Sequence, residues 1–213
     1  LTPVQTNTGN GIDLSYCYHF TIAENIITCP TTDTGIGIKY SGNDITITHN
    51  KITKFYYGIT AGSPNIMIND NYISLVRVGI SLSSGSNMVI AYNNIMNCLS
   101  NGIVLSAGSN TVITYNTIVN CSVNGIDASA SGTQIIGNII SDNSYYGVRI
   151  QENSGTTQVV NNWLVNNGMG PYFDVYGTTY FWNNTIVDYA HHDEDGDGLT
   201  DQYEMEIGTS IYL

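Results

Sequence analysis

An asparagine recurs along this chain at a nearly constant interval, and an aliphatic residue follows each copy two positions later. Eight copies form this asparagine column: Asn25, Asn50, Asn71, Asn93, Asn116, Asn138, Asn162 and Asn184. Neighbouring copies are 21 to 25 residues apart. A sequence unit of this length cannot bury its apolar side alone and has to stack on its neighbours. The chain is therefore predicted to build a solenoid from about eight stacked units.

Three further columns keep the same register. Two positions after the asparagines stand Ile27, Ile52, Ile73, Ile95, Ile118, Ile140, Leu164 and Ile186. Three positions before them stand Ile22, Ile47, Ile68, Ile90, Ile113, Ile135, Val159 and Phe181. A glycine column, in which Ile or Val follows each glycine, consists of Gly11, Gly35, Gly58, Gly79, Gly102, Gly125 and Gly147. We expect the apolar columns to face one core and the asparagines to form a buried, hydrogen-bonded asparagine ladder. We expect each column glycine to supply a backbone conformation that other residues avoid.

Each unit contains short runs rich in β-branched residues, such as Ile45-Thr46-Ile47, with Gly, Asn and Ser between them. Such runs predict strands rather than helices. Two or three strands per unit predict an all-β parallel β-helix, with rungs about 4.8 Å apart and a stack roughly 34–38 Å tall. The expected organisation is an N-terminal polar segment (1–10), a β-helix (11–189) and a short C-terminal appendage (190–213).

One part of the repeat supports a family resemblance. The run NGIVLSAGSNTVITYNTIVNCSVNGIDASASGTQIIGNII, residues 101–140, resembles the repeats of right-handed parallel β-helix proteins of the pectate-lyase-like, carbohydrate-binding and sugar-hydrolysis type. The resemblance extends over about residues 10–189 and implies a right-handed, single-stranded parallel β-helix. Because this family carries many chemistries on one fold, the resemblance does not fix a reaction.

The composition limits the partners that can be expected. Charged residues make up 10% of the 213 residues, and 17 acidic residues stand against 5 basic ones. Nucleic-acid binding depends on Lys and Arg that neutralise phosphates, so no nucleic-acid partner is expected. No apolar run approaches the length of a membrane span. A polar, weakly charged surface of this kind is typical of secreted solenoids and favours an extracellular or cell-surface location.

The four cysteines leave the redox state open. Cys98 and Cys121 stand at the same position in adjacent units, which is compatible with a disulfide and equally with two stacked thiols in the core. Cys17 and Cys29 belong to the first unit, where a bridge would close the end of the stack.

The repeat stops after Tyr189, and an acidic segment follows. Its potential ligands fall at positions 1, 3, 5, 7, 9 and 12 of a twelve-residue loop: Asp193, Asp195, Asp197, Leu199, Asp201 and Glu204. This is the oxygen-ligand spacing of a calcium loop, in which Leu199 offers its backbone carbonyl and Gly198 permits the sharp turn. The segment resembles thrombospondin type 3 and dockerin-like calcium repeats, so Ca²⁺ is the expected cofactor. A solvated acidic linker is the alternative.

Candidate catalytic residues stand two positions after the column glycines. This line reads Asp13, Gly37, Thr60, Ser81, Val104, Asp127, Arg149 and, on the last unit, Asp174. Asp127, Arg149 and Asp174 are therefore expected to stack on successive rungs, where they could serve as acid, base and sugar anchor in glycan cleavage. The alternative is a structural salt-bridge ladder.

A second candidate line immediately precedes the asparagines and contains Glu24, His49, Asp70, Tyr92 and Tyr115. Tyrosine faces stack on sugar rings and carboxylates bond sugar hydroxyls, so this line is a candidate carbohydrate-binding edge. A purely structural aromatic stack on the solvent side is the alternative.

An apolar surface is predicted on the strands before the asparagines. Its outward residues are Met67, Val89, Val112, Ile136, Val160, Tyr180 and Trp182. Apolar side chains where solvent is expected indicate self-association or a covering segment of the chain.

Taken together, these patterns favour an extracellular β-helix module that binds, and in one interpretation cleaves as a hydrolase or lyase, a polysaccharide or cell-surface glycan. The alternative is a non-catalytic structural or adhesive module in which the solenoid is a rigid spacer.

Overall fold

The computed structural model describes residues 9–30, 34–152 and 156–187. Within these ranges the chain forms 22 strands. The first two rungs contain β1 (Ile12–Ala23), β2 (Ile26–Thr28), β3 (Ile36–Thr48) and β4 (Lys51–Thr53). The next three rungs contain β5 (Tyr57–Ala61), β6 (Ile66–Asn69), β7 (Tyr72–Ser74), β8 (Val78–Leu82), β9 (Val89–Ala91), β10 (Asn94–Met96), β11 (Ile103–Leu105), β12 (Val112–Thr114) and β13 (Thr117–Val119). The last three contain β14 (Ile126–Ala128), β15 (Gln134–Ile136), β16 (Ile139–Ser141), β17 (Tyr146–Ile150), β18 (Gln158–Val160), β19 (Trp163–Val165), β20 (Gly170–Asp174), β21 (Tyr180–Trp182) and β22 (Thr185–Val187).

The strands form a parallel β-helix of eight rungs, which confirms the predicted fold class. Each rung contributes one strand to each of three faces, and every strand pairs in parallel with its equivalent one rung away. The first face contains β5, β8, β11, β14, β17 and β20, the second β6, β9, β12, β15, β18 and β21, and the third β2, β4, β7, β10, β13, β16, β19 and β22. The long strands β1 and β3 run through both the first and the second face and so join them into one 14-stranded sheet. No helix long and apolar enough to cross a membrane occurs in the described part of the chain.

The asparagine column lies at the corner between the second and third faces. The side-chain oxygen of Asn138 accepts hydrogen bonds from both the backbone nitrogen of Asn116, at 2.9 Å, and its side-chain nitrogen, at 3.0 Å. The Asn116 side-chain nitrogen also donates to the carbonyls of Ile90 and Thr114. The same pattern links the other members of the column, and the six from Asn50 to Asn162 are at most 1% exposed. Each amide therefore satisfies polar groups of three rungs.

The predicted apolar columns line one core. On rungs two to seven their side chains are fully or almost fully buried: Ile47, Ile52, Ile68, Ile73, Ile90, Ile95, Ile113, Ile118, Ile135, Ile140, Val159 and Leu164. At the last described rung the same column is open, because Ile186 is 44% exposed. Each core residue of a solenoid is buried by the rungs above and below it, so the burial of the end rungs depends on what packs against the ends of the stack.

The glycine column has a different physical cause from the one expected. Gly58, Gly79, Gly102 and the other members on the later rungs do not have positive φ angles. A Cβ atom on Gly102 would instead lie 2.5 Å from the Ile118 side chain and 2.6 Å from the carbonyl oxygen of Gly125. Of the predicted column, only Gly35 has the expected special conformation, with φ 65°. For the glycines on the later rungs the expectation is wrong, and they are required because neighbouring rungs approach too closely for a side chain.

Left-handed backbone conformation is found instead at the corner before the asparagines. All eight residues there have φ between 52° and 66°: Glu24, His49, Asp70, Tyr92, Tyr115, Gly137, Asn161 and Asn183. This conformation costs a non-glycine residue roughly 1–2 kcal/mol. It is held by bonds between rungs, such as the one from the Tyr92 nitrogen to the Thr114 carbonyl at 3.2 Å. The corner thus turns sharply in every rung.

Two outward columns on the second face account for the predicted apolar surface. Met67, Val89 and Val112 stack in one column. The same column continues through Gln134 and Gln158 to Tyr180 on the last described rung. Ile136, Val160 and Trp182 stack in the other. Met67, Tyr180 and Trp182 are 44%, 57% and 57% exposed, whereas the four aliphatic residues between them are half-buried. Self-association or covering by another segment stays a prediction.

The four cysteines are free thiols in this structure. Cys98 and Cys121 are both 1% exposed and occupy one buried column that continues into Asn143 and Asn167. The hydrogen bond with Cys121, together with burial, raises the pKa of the Cys98 thiol well above its usual value. The predicted stacking of the two cysteines is confirmed, and at this pKa Cys98 stays protonated at neutral pH.

Replacing Asn116 by Leu should destabilise the protein by roughly 1–3 kcal/mol, because carbonyls on three rungs lose their donor inside the core. The free energy of unfolding, measured by urea titration, tests this expectation. Thr117→Val is the matched control, since Thr117 is the next residue but points outward. Equal stability of Asn116→Leu and the parent chain would contradict the role assigned to the column.

Candidate functional site

A continuous line of outward side chains runs along the first face. In register from the first rung to the last it reads Asp13, Lys39, Thr60, Ser81, Val104, Asp127, Arg149 and Phe173. It brings together the predicted neighbours Asp127 and Arg149 on β14 and β17. It differs from the predicted line on the second and the last rung.

Both differences arise where the glycine column is irregular. On the second rung the column position belongs to Gly37, not Gly35, because Ile38 rather than Ile36 pairs with Ile12. The outward residue is therefore Lys39. On the last rung Pro171 occupies the glycine position, since Val148 pairs with Tyr172. The expectation that Asp174 continues the line 25 residues after Arg149 is therefore wrong, because Phe173 pairs with Arg149 and Asp174 pairs with Ile150.

Asp174 has a local structural role in this arrangement. Its two carboxylate oxygens accept hydrogen bonds from the backbone nitrogens of Tyr176, at 2.9 Å, and Thr179, at 2.8 Å. Burial by itself would raise the pKa of Asp174, but these bonds outweigh it and lower the pKa from 3.8 to about 2. Burial also raises the pKa of the neighbouring Tyr172 to about 12. Asp174 thus closes the loop after β20 and does not join Asp127.

The Asp127 carboxylate is held by three donors. Gln151 donates from its side-chain nitrogen to Oδ1 at 2.5 Å, and Asn124 donates to Oδ2 at 3.3 Å. Arg149 Nη1 donates to the same Oδ2 at 3.4 Å. The Asp127 side chain is 12% exposed, whereas the Arg149 side chain is 36% exposed. The carboxylate is therefore largely buried and hydrogen-bonded at both oxygens, and the partly exposed Arg149 side chain has further N–H groups that can donate.

A cavity of about 380 Å³ opens beside the guanidinium. Its lining residues are Val123, Asn124, Tyr145, Tyr146, Arg149, Met169 and Phe173. The rings of Tyr146 and Phe173 stack with centroids 4.9 Å apart and form one wall. Cationic donors beside aromatic rings can bind hydroxyl or carboxylate groups of a sugar whose apolar side lies on the rings. The sequence analysis missed both rings. Phe173 continues the outward line after Arg149, whereas Tyr146 stands three positions before Arg149, so strand alternation counted from Arg149 does not place it outward.

Two more cavities open nearby, one in the turns that follow β11, β14 and β17 and the other on the first face. One of about 370 Å³ adjoins Gln151 and is lined by Ala107, Gly108, Ser129, Ser131, Gln151, Glu152 and Tyr176. The other, of about 410 Å³, adjoins Lys39, which pairs with Asp13 at 3.4 Å. An ion pair of one acidic and one basic residue thus stands near each end of the first face, with Thr60, Ser81 and Val104 between them.

The candidate carbohydrate-binding edge lies elsewhere. Glu24, His49, Asp70, Tyr92 and Tyr115 occupy the left-handed corner between the second and third faces. The Tyr92 and Tyr115 rings stack with centroids 5.3 Å apart and planes 15° apart. Stacking along the solenoid axis covers the ring faces that were expected to receive sugars, except at the two ends of the pair.

The predicted calcium ligands Asp193, Asp195, Asp197, Leu199, Asp201 and Glu204 lie outside the described residues. Within the described ranges, no group of three or more His, Cys, Asp or Glu side chains is arranged to hold a metal ion.

Comparisons with known proteins agree with this architecture. A family model described as a right handed beta helix region matches residues 32–164. The periplasmic alginate epimerase AlgG has a similar solved structure, with a TM-score of 0.71 and 19% sequence identity over 84% of this chain and 47% of that one. A threonine-to-asparagine mutant of AlgG gives a TM-score of 0.67 and 20% identity over 83% of this chain and 50% of that one. The chain thus spans about half the length of the structures it matches, and at this identity the likeness concerns the fold. No curated protein sequence matches.

The lowered pKa of Asp174 predicts acid sensitivity of the loop after β20. Its carboxylate should contribute stability that is fully present above its ordinary pKa of 3.8 and is lost as the pH falls through about 2. Asp174→Asn should lower the melting temperature at pH 7. Between pH 4 and pH 2, the melting temperature of the variant should fall less than that of the parent chain. Thermal unfolding followed by circular dichroism across this range measures both effects. An identical pH profile for the two proteins would contradict the assignment.

Proposed function

This chain belongs to the right-handed β-helix family, and we propose that its first face binds a polysaccharide at the cavity beside Arg149. The single observation that carries the proposal is a partly exposed guanidinium, fixed by the buried Asp127, next to the stacked rings of Tyr146 and Phe173. The fold shared with an alginate-processing enzyme supports the same class of ligand.

The roles of the residues follow from their contacts. Arg149 binds sugar oxygens through the N–H groups that Asp127 does not use. Asp127 positions the Arg149 guanidinium, and the hydrogen bond from the Gln151 side-chain nitrogen holds the Asp127 carboxylate in place. The aromatic wall receives the apolar side of a sugar ring. Since an extended chain can follow the face from rung to rung, the cavities near Gln151 and Lys39 would contact further units of the same polymer.

Binding is favoured over cleavage by the state of the acid. A general acid or base has to reach the reacting oxygen of the substrate. Asp127 is 9% exposed and already accepts three hydrogen bonds, and Asp174 is engaged by backbone N–H groups. Neither carboxylate is therefore presented for hydrolysis or elimination. A setting outside the cytoplasm, as for the periplasmic AlgG, belongs to the same proposal.

Arg149→Ala should weaken polysaccharide binding by about tenfold to a hundredfold, the usual contribution of one or two charge-assisted hydrogen bonds. A glycan array that includes neutral and uronate oligosaccharides identifies the ligand, and calorimetric titration measures the affinity. The fold should survive, because Gln151 and Asn124 still donate to Asp127. Lys51→Ala, which removes a cation from the third face, serves as the matched control. If no glycan binds, or if Arg149→Ala binds as well as the parent chain, the rigid-spacer function is left as the better account.

We also propose that the C-terminal segment binds one calcium ion through Asp193, Asp195, Asp197, Asp201 and Glu204 with the Leu199 carbonyl. The spacing of the oxygen ligands supports it. Calorimetric titration should show one Ca²⁺ per chain, and Glu204→Ala should weaken the affinity at least about tenfold because it removes the bidentate ligand. Glu24→Ala is the control, since it removes one acid outside the loop. Absence of calcium uptake would identify the segment as an acidic linker.

A further inference from the structure

We propose that the ligand of the first face is a neutral, extended polysaccharide that lies lengthwise along the outward line, from the cavity beside Lys39 to the cavity beside Arg149. The class of polymer and its direction rest on the function proposed for the Arg149 cavity and deepen it. They follow from the distribution of charges and hydroxyl groups between the two cavities.

The outward line joins the two cavities. Lys39 stands on the second rung and Arg149 on the seventh, so five steps between rungs separate them. At about 4.8 Å per step, this distance is roughly 24 Å. A sugar unit of an extended chain is about as long as one rung is tall, so roughly five or six units span the distance. The rungs between the two cations carry Thr60, Ser81, Val104 and Asp127.

Hydroxyl groups stand on and beside this line. Thr60 and Ser81 lie on it and both line the cavity beside Lys39. In the turns after the first-face strands, hydrogen bonds between rungs place Ser83, Ser106 and Ser129 one above another. Ser83 and Ser106 are exposed, and Ser129 is half-buried. A hydroxyl group both donates and accepts hydrogen bonds, so these side chains can bond the hydroxyls of successive sugar units.

The cations at the two ends of the line are already balanced. Arg149 pairs with Asp127 at 3.4 Å, and Lys39 pairs with Asp13 at 3.4 Å. Each pair has no net charge, but its cation keeps further N–H groups that can donate to a neutral hydroxyl. A carboxylate of the ligand would instead approach an acid as well as a base, which reduces the attraction. No other residue that lines the Arg149 cavity carries a charge.

The first face cannot balance a polymer with one acid on every unit. Such a polymer would place its carboxylates opposite Thr60, Ser81 and Val104 on three successive rungs, where the outward line has no cation. The acids on this face and in its turns are Asp13, Asp127, Glu152 and Asp174, against the bases Lys39, Arg77 and Arg149. The whole chain has 17 acidic and 5 basic residues, so its long-range field also repels a polyanion. A neutral polymer avoids both costs.

Calorimetric titration of the full chain tests the class and the path. The ligands are cellohexaose, mannohexaose, xylohexaose, the three corresponding trisaccharides and hexagalacturonate. At least one neutral hexasaccharide should bind at least about tenfold more tightly than hexagalacturonate and than its own trisaccharide. Lys39→Ala should weaken binding of that hexasaccharide about tenfold and leave the trisaccharide unchanged, because only the longer ligand reaches both cavities. Arg149→Ala should weaken binding of both.

A matched pair of variants separates charge from size. Ser81→Lys and Ser81→Glu each place a long side chain at the middle of the outward line, one cationic and one anionic. A neutral hexasaccharide should bind the two variants with affinities within about threefold of each other, whereas a polyanion would bind Ser81→Lys at least about tenfold more tightly. Lys51→Ala is the control for the loss of a cation, since Lys51 lies on the third face.

The outcomes separate this proposal from the one on which it rests. If hexagalacturonate binds as tightly as every neutral hexasaccharide, or prefers Ser81→Lys with tighter binding than any neutral ligand, the neutral class is wrong. If trisaccharide and hexasaccharide bind equally, or Lys39→Ala has no effect, the lengthwise path is wrong. In both cases weaker binding to Arg149→Ala would still support the function proposed for its cavity. Absence of binding by every glycan would overturn both proposals.

Discussion

Because each strand in the described part of the chain bonds to its equivalent one rung away, every residue lies directly above a residue about 22 positions earlier. This in-register bonding between rungs determines the rest of the structure. It aligns the isoleucines into core columns and makes each asparagine side chain the acceptor for the asparagine before it. It also sets the close approach that excludes side chains from the glycine column, since a Cβ on Gly102 would meet the carbonyl of Gly125. The core columns, the asparagine column and the glycine column therefore all depend on the hydrogen bonds between rungs.

The same repetition explains how strained backbone is tolerated at the corners. A single left-handed tyrosine is unfavourable, but Tyr92 and Tyr115 each donate their backbone N–H to the following rung. Their side chains are then forced outward and stacked on each other. Aromatic display at this corner is a consequence of the turn geometry, and the single glycine at position 137 interrupts it. The Tyr115 ring packs against the Gly137 backbone, in the space that a side chain at position 137 would occupy.

The first face differs from this corner, because charged residues occupy its outward column. Asp127 could be buried only because Gln151, Asn124 and Arg149 supply donors from the same and the next rung. With these donors both oxygens of the buried carboxylate are hydrogen-bonded, which compensates its burial. The guanidinium remains directed at the cavity.

The sequence by itself determined the solenoid, its eight rungs, the buried columns and the adjacency of Asp127 and Arg149, because a repeat fixes which residues are neighbours wherever its period is unbroken. It could not place Lys39 or Phe173, since Gly35 and Pro171 disturb the count at the ends of the stack and only strand pairing restores it. Nor could it show that Asp174 turns toward the Tyr176 and Thr179 nitrogens. Periodicity specifies position along a column, whereas the direction and partners of a side chain depend on the local turn, and that was decided only by the tertiary structure.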